Sequence, residues 1–332
     1  MQDDPLPPEH AARIDGVQER GLGRLESGGS IPGLSRPAFT LQHPEKTLLP
    51  VLIAVPHAGR AYPPGIVERM REPARTPLRL EDRHVDAVGR EAAAMCGVPL
   101  LVAHAPRAMI DLNRDPNDLD LGMFTASEGE KAAMRRRLPA GGSQMARSLR
   151  GLGLFPRRIS GLGELWRTPM LPVEASGRVA AIHAPYHEKL AETLDSIRAQ
   201  WGTALLIDLH SMPDLPARSA GAAAPTHVIG DRFGASCARS AVDAALSTLE
   251  IAGAEGAYNR PYAGGFVLER HANPRRSIHA VQVELARSLY LDEKGEVPGK
   301  GVADQSLVIA SIARAMADVV ISCGGTWGMA AE

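Results

Sequence analysis

Aromatic residues are scarce in this chain, 4% of 332 positions, so a hydrophobic core has to be built from aliphatic side chains and alanine. Cysteine is nearly absent. Cys96, Cys237 and Cys323 are an odd number at wide spacing, which fits neither a disulfide framework nor a thiolate zinc site. They read as buried or incidental thiols of a reducing compartment. Excess charge is missing too: a net charge of −1 gives no electrostatic reason to expect nucleic acid or an anionic membrane as partner. No apolar run approaches membrane-spanning length. Met1-Gln2-Asp3-Asp4 opens without the basic start and apolar stretch of a signal peptide, so a cytoplasmic location is expected.

What is present is ordinary for a globular protein, with 44% hydrophobic and 23% charged residues. Residues 1–38 are polar and lack periodicity, which predicts an N-terminal extension. Residues 39–325 read as a single catalytic α/β domain, because no linker-like composition divides them. Strand patterns occur at Leu48–Val55, Val98–Ala103, Ala108–Leu112, Ala204–Leu209 and Ala280–Leu285. Helical spacing begins after Asp82, with Val85, Val88, Ala92 and Met95 on one stripe, and recurs at Glu188–Trp201, Gly234–Leu249 and Ala303–Val320. Strands alternating with helices argue for an α/β sandwich. Residues 121–178 are Gly- and Arg-rich with weak periodicity, the pattern of a basic insertion or lid. Its Arg135-Arg136-Arg137, Arg147, Arg150, Arg157 and Arg158 either serve an acidic substrate or form a solvated face.

Two histidines stand where a sheet would open into its crevice. Asp208-Leu209-His210-Ser211-Met212-Pro213 follows the apolar run from Ala204, and the Leu48–Val55 run ends in Pro56-His57-Ala58-Gly59. Two imidazoles plus one carboxylate, with a position left for water, is a common catalytic zinc set, so one divalent ion per chain is expected. Glu81, Asp82 and Asp86 are the carboxylates on offer; Asp82 is preferred as a residue at a loop edge. A rival pair, His183 and His187, lacks the Glu that directly follows the first His in helical zinc motifs. Pro185 instead marks a helix start there, and His187 reads as a crevice-lining or capping residue.

Alternation sets Val281, Val283 and Leu285 on one strand face and Gln282 and Glu284 on the other. A carboxylate in so apolar a strand is either half of a structural ion pair or a general base of raised pKa. Arg114, after Ile110-Asp111-Leu112-Asn113, either pairs with Asp111 or Asp115 or grips a substrate carboxylate bidentately.

Taken together, the motifs resemble the N-formylglutamate amidohydrolase family. The matching segments are Val55 to Arg60, Glu81 to Asp86, Ile110 to Pro116, Pro185-Tyr186-His187, Asp208 to Pro213, Asn259 to Gly265 and Val281 to Leu285. They occur in family order and span about residues 45 to 292. The resemblance implies a mixed, mostly parallel sheet of about eight strands between helices, like that of the zinc carboxypeptidases. It implies zinc on His57 and His210, Glu284 as general base, and Asn113-Arg114 as the grip on a substrate carboxylate. In the zinc carboxypeptidases the third ligand is a Glu three residues after the first His. Here that position is Arg60, which cannot bind a cation, so the third ligand stays open among Glu81, Asp82 and Asp86, with Asp82 preferred.

The implied reaction is hydrolysis of the N-formyl or other N-acyl amide of an acidic amino acid such as N-formylglutamate, a small-molecule partner. Arg107 would face the developing oxyanion, and the Gly264-Gly265 loop, with Tyr262 and Arg270 nearby, would close over the substrate. A short peptide or another N-acyl amino acid is the alternative substrate. A non-catalytic binding protein on the same fold is the alternative outside enzymes.

Overall fold

A computed structural model describes residues 22–136, 138, 148, 150–217, 221 and 223–327. Residues 1–21 of the expected extension, and Arg137 and Arg147 of the basic segment, lie outside the described residues. The strands are β1 (Leu22–Gly28), β2 (Phe39–Pro44), β3 (Val51–Val55), β4 (Leu100–Ala103), β5 (Arg158–Ile159), β6 (Gly163–Glu164), β7 (Ala204–Met212), β8 (His227–Gly230), β9 (Gly256–Tyr258) and β10 (Ile278–Ala286). Eight of them form one mixed sheet in the order β1-β2-β4-β3-β7-β10-β8-β9, while β5 and β6 pair as a small ribbon. The centre, β4-β3-β7-β10, is parallel, as is β8-β9; the pairs β1-β2, β2-β4 and β10-β8 are antiparallel. The expected sheet of about eight strands is therefore observed.

Both faces of the sheet are covered. On one, Ile53, Val55, Ile207, Leu209, Val281 and Val283 pack under the helices Val85–Cys96, Arg239–Ile251 and Gly301–Trp327. On the other, Leu52, Ala54, Leu206 and Ala280 meet Tyr186, Leu190 and Leu194 of the Ala184–Trp201 helix. All nine residues of β7 and all nine of β10 are buried. Strands covered on both sides read as continuous apolar runs. Asp208, His210, Gln282 and Glu284 break those runs at the carboxyl ends, and buried polar groups of this kind have to satisfy one another.

The structure departs from the sequence reading in several places. Leu22–Gly28, assigned to the polar extension, is an edge strand whose Arg24 and Glu26 blunt the exposed edge. Ala108–Leu112 is not a strand. Its backbone turns on itself, with the amides of Met109 and Ile110 both donating to the Pro106 carbonyl, and its apolar side chains are buried at consecutive positions. The helix expected from Gly234 begins at Arg239, because Arg232, Phe233 and Gly234 hold φ of 55°, 58° and 88°, which no right-handed helix contains. On the Val85–Cys96 helix the buried stripe ends on Cys96, and Met95 is 42% exposed.

Pro185 sits in the first turn of the Ala184–Trp201 helix, as expected, but it does not begin the helical run. The chain is already helical from Pro172, and a π-helical stretch at Val179–His183 carries it into Ala184–Trp201. A widened turn before a proline accommodates the hydrogen bond that its missing N–H cannot make.

Residues 121–178 are no detached flap, since Met123, Phe124, Leu154, Phe155, Leu165 and Trp166 belong to the core cluster beneath the Ala184–Trp201 helix. The Gly301–Cys323 stretch is long and apolar enough to cross a membrane by length and composition, with mean hydropathy 1.7, contrary to the expectation that no run approaches that length. In the fold it is a core helix, with Ile309, Ile312, Ala313, Met316 and Val320 fully buried against the sheet-covering layer.

Candidate metal centre and active site

Three segments meet at the carboxyl end of the parallel strands. The loop after β3 brings His57, β7 brings His210, and the Glu81–Asp82 corner is fastened to the first loop by a hydrogen bond from the Asp82 amide to the His57 carbonyl (3.0 Å). Asp82 Oδ2 lies 3.0 Å from His210 Nδ1 and 3.6 Å from His57 Nδ1. One donor atom from each of the three residues falls within 4.8 Å of the others, and all three side chains are buried. Among the described residues this is the one group of His, Cys, Asp or Glu close enough to share a metal.

The other nitrogen of each ring is engaged by its own carboxylate. His57 Nε2 is 2.8 Å from Asp111 Oδ1, and His210 Nε2 is 2.8 Å from Asp208 Oδ2. Carboxylates behind metal-binding imidazoles fix the tautomer and aim the free nitrogen, which is what these two do for Nδ1. Burial alone would raise the Asp82 carboxyl, but the His210 hydrogen bond and the nearness of the His57 ring hold it well below the usual carboxylate range. Burial would lower His210, yet Asp208 and Asp82 hold its pKa well above that of an ordinary imidazole. His57 Nδ1 is buried without any hydrogen-bond partner among the described residues. An orphaned nitrogen facing a deprotonated carboxylate is what a cation would satisfy, so the donor set fits a divalent metal. Of the other carboxylates weighed, Glu81 turns toward Arg83 (3.7 Å), and Asp86 pairs with Arg60 (3.4 Å) and Arg90 (3.8 Å). Arg60 is thereby accounted for outside the cluster.

Beside the cluster, β10 runs parallel to β7 with Glu284 opposite His210 and Gln282 opposite Asp208. Glu284 is 6% exposed, and among the described residues no Lys or Arg lies within ion-pair distance of it. The ion-pair alternative for this residue is not what the structure contains. Burial pushes the Glu284 carboxyl up to about 7, against the pull of the His210 charge. Its Oε1 accepts from Gln282 Nε2 (2.7 Å), and Gln282 Oε1 in turn accepts from Asn113 Nδ2 (3.1 Å).

Asn113 is a hub rather than a free hand. Its Oδ1 accepts from the Val267 amide (2.9 Å), so both ends of the amide are used, joining the Asp111–Arg114 turn to β10 and to the Phe266–His271 helix. Gly265 permits this closeness, since a Cβ there would lie 2.4 Å from Asn113 Oδ1. Arg114 is buried, with Nε donating to Leu152 O (2.9 Å) and Nη1 to Asn113 O (2.9 Å). Arg107 Nε donates to Asp111 Oδ2 at 2.9 Å. Arg107, Asn113, Arg114 and Gln282, with half-buried Tyr262, line a cavity of about 390 Å³ that is also lined by His57, Asp82, His210 and Glu284.

Arg270 is corrected. It lies exposed on the Phe266–His271 helix, 5.9 Å above the Phe266 ring, and is not among the residues lining the cavity. Its position two turns' distance from Gly264 in sequence gave no information on which way the helix would face. His187 neither lines the cavity nor caps a helix: it is fully buried, Nε2 donating to Leu112 O and Nδ1 accepting from His271 Nε2, both at 2.9 Å. With His183 Nε2 on Arg114 O (2.9 Å), this trio braces the Leu112–Arg114 turn from behind.

Several residues escaped the sequence reading. Asp208 was legible, since it shares a strand face with His210. Asp111 was weighed only as an Arg114 partner; it serves Arg107 and His57 instead, with Arg114 at 4.0 Å. Arg287 reaches the cavity wall from beyond β10, donating to the carbonyls of Glu81 (2.6 Å) and Leu78 (3.1 Å). No local pattern announces it.

The comparisons with known proteins agree on what this architecture is. N-formylglutamate deformylase of Pseudomonas aeruginosa is 29% identical over 281 residues, covering 83% of this chain and 94% of that protein. The Pseudomonas putida enzyme of the same name is 29% identical over 254 residues, 74% of this chain and 83% of its own. Among solved structures, N-formylglutamate amidohydrolase from Ralstonia eutropha JMP134 superposes with a TM-score of 0.73 at 27% identity, over 85% of this chain and 98% of that one. A protein from Agrobacterium tumefaciens shares the fold, with a TM-score of 0.57 at 17% identity over 85% of this chain and 96% of its own. The class is that of enzymes hydrolysing an amide on a mixed α/β sheet. The chain belongs to the N-formylglutamate amidohydrolase family, whose model matches residues 49–291.

Proposed function

We propose that the chain hydrolyses the N-formyl amide of an acidic amino acid, N-formylglutamate first of all, with one divalent metal held by His57, Asp82 and His210. The observation that carries this reading is the pairing of Glu284 with His210 across β10 and β7, which puts a carboxyl of pKa about 7 beside the three converging donors. A metal at this donor set, zinc by the preference of imidazole and carboxylate ligands, supplies Lewis acidity toward water and the acyl carbonyl. Glu284, poised near neutrality, accepts a proton from the attacking water and returns it to the leaving amine nitrogen, releasing formate and the amino acid. Arg107, held by Asp111, presents its guanidinium to the oxygen that gains charge in the transition state. Arg114 receives a substrate carboxylate, while Asn113 fixes the turn that carries it and Tyr262 closes one wall.

Release of formate and glutamate from N-formyl-L-glutamate by the purified, metal-analysed protein tests the reading. Turnover that disappears on chelation and returns with zinc supports it. A protein that binds no divalent metal, or a metal-loaded protein inert toward every N-acyl amino acid offered, overturns it.

A further inference from the structure

Among the described residues five arginines line the cavity, Arg79, Arg107, Arg114, Arg150 and Arg287, against Asp82 and Glu284 as carboxylates in the same lining. Three of the five are committed to the protein. Arg107 serves Asp111, Arg114 serves the Leu152 and Asn113 carbonyls, and Arg287 serves Leu78, Glu81 and Asp82. Arg79 and Arg150 differ. Both are exposed, and neither has a hydrogen bond or ion pair with any other described residue, although both present their side chains to the cavity. Arg79 stands on the wall that leads into Asp82. Arg150 lies two residues before Leu152, on the wall that holds Arg114. Of the other described arginines of the basic run, Arg157 pairs with Asp120 and Glu164, Arg158 with Glu164 and Arg135 with Glu128, while Arg136 is not among the residues lining the cavity.

A guanidinium facing a cavity without a protein partner is available to an anion, and it holds a carboxylate with directional, charge-assisted hydrogen bonds. We infer that Arg79 and Arg150 form a second carboxylate-recognition position at the cavity mouth, which reads the side-chain carboxylate and selects dicarboxylic N-acyl amino acids over neutral ones. This rests on the proposed amidohydrolase reading, in which Arg114 takes the first carboxylate. It assigns the surplus of positive charge to specificity rather than to the chemical step, so its effect falls on KM more than on kcat.

The experiment compares N-formyl-L-glutamate with N-formyl-L-glutamine, which has nearly the same shape and lacks only the side-chain charge. The ratio of their kcat/KM values falls at least tenfold in the double variant Arg79→Gln/Arg150→Gln, and Arg79→Lys/Arg150→Lys recovers part of it. An unchanged ratio in the glutamine double variant overturns the inference, whatever the absolute rates. A calorimetric comparison of glutarate with its monoamide on the metal-loaded protein reads the same preference without catalysis. If the wild type hydrolyses neither substrate, the proposed reaction fails by itself, and glutarate binding still decides the recognition position. A wild type that binds both ligands equally ends it.

Discussion

Glu284 and His210 stand opposite each other as a register pair on the parallel strands β10 and β7, two residues beyond the pair formed by Gln282 and Asp208. Parallel pairing with a period of two places all four side chains on one sheet face, so a single register decides the geometry of base and metal donor together. Replacing Glu284 with Gln keeps the shape and removes the proton acceptor. The Glu284→Gln variant is expected to lose about 10²–10⁴ in kcat, the usual contribution of a positioned general base, while retaining its metal. Steady-state kinetics beside metal analysis check this; turnover near the wild-type level defeats the assignment.

Metal removal is expected to cost stability as well as activity. Without a cation, His57 Nδ1 stays buried with no hydrogen-bond partner among the described residues, facing the Asp82 carboxylate at 3.6 Å. A ligand that binds only the folded state raises the melting temperature, by an amount that grows as the logarithm of its concentration over Kd. Thermal unfolding with and without chelator, and again after zinc is restored, should show the fall and its reversal. In His210→Ala the melting temperature should no longer respond to zinc.

Asp111 links three functions through one carboxylate, accepting from Arg107, from His57 and from the Asn113 amide. In Asp111→Asn the amide cannot satisfy all three donors. Metal affinity should fall by about 10–100-fold, the range found when a partner behind a metal-binding imidazole is lost. A competition titration against a chromogenic chelator measures it. Affinity equal to the wild type would show that Asp111 only holds the turn.

The histidines behind the site make a prediction about pH. Burial lowers His271 to about 3 and, with the charges of its neighbours, holds His187 well below an ordinary imidazole, so both are neutral in the folded protein. In the unfolded chain each takes a proton below about pH 6.5. The folded pKa is the lower one, so stability is complete above about 6.5 and is lost as pH falls from there toward 3. The slope is at most about 1.4 kcal/mol per pH unit for each histidine. Urea denaturation of wild type and His271→Asn between pH 7 and 4.5 should show a shallower loss in the variant. Parallel curves would remove this pair as a source of acid sensitivity.

Local patterns in the chain carried a large part of this protein. Apolar runs ending in Pro56-His57 and Asp208-Leu209-His210 located two donors, and strict alternation put Gln282 and Glu284 on the face away from Val281 and Val283. These were readable because a strand's period of two ties neighbouring side chains to one face, and because polar residues inside an apolar run must be explained. What tertiary structure alone decided was of longer range. Whether Asp82, Glu81 or Asp86 faces the histidines depends on how one corner turns against the His57 loop, and no periodicity governs a corner. Arg79, Arg150 and Arg287 reach the same cavity from segments as many as 208 residues apart, brought there by strand order rather than by spacing. The Ala108–Leu112 segment looked like a strand because all of it but Asp111 is apolar, yet it is buried as a turn, where tertiary contact overrides local preference. Sequence fixes which groups are present and which face of their own element they occupy; the sheet's register and crossovers decide which of them meet.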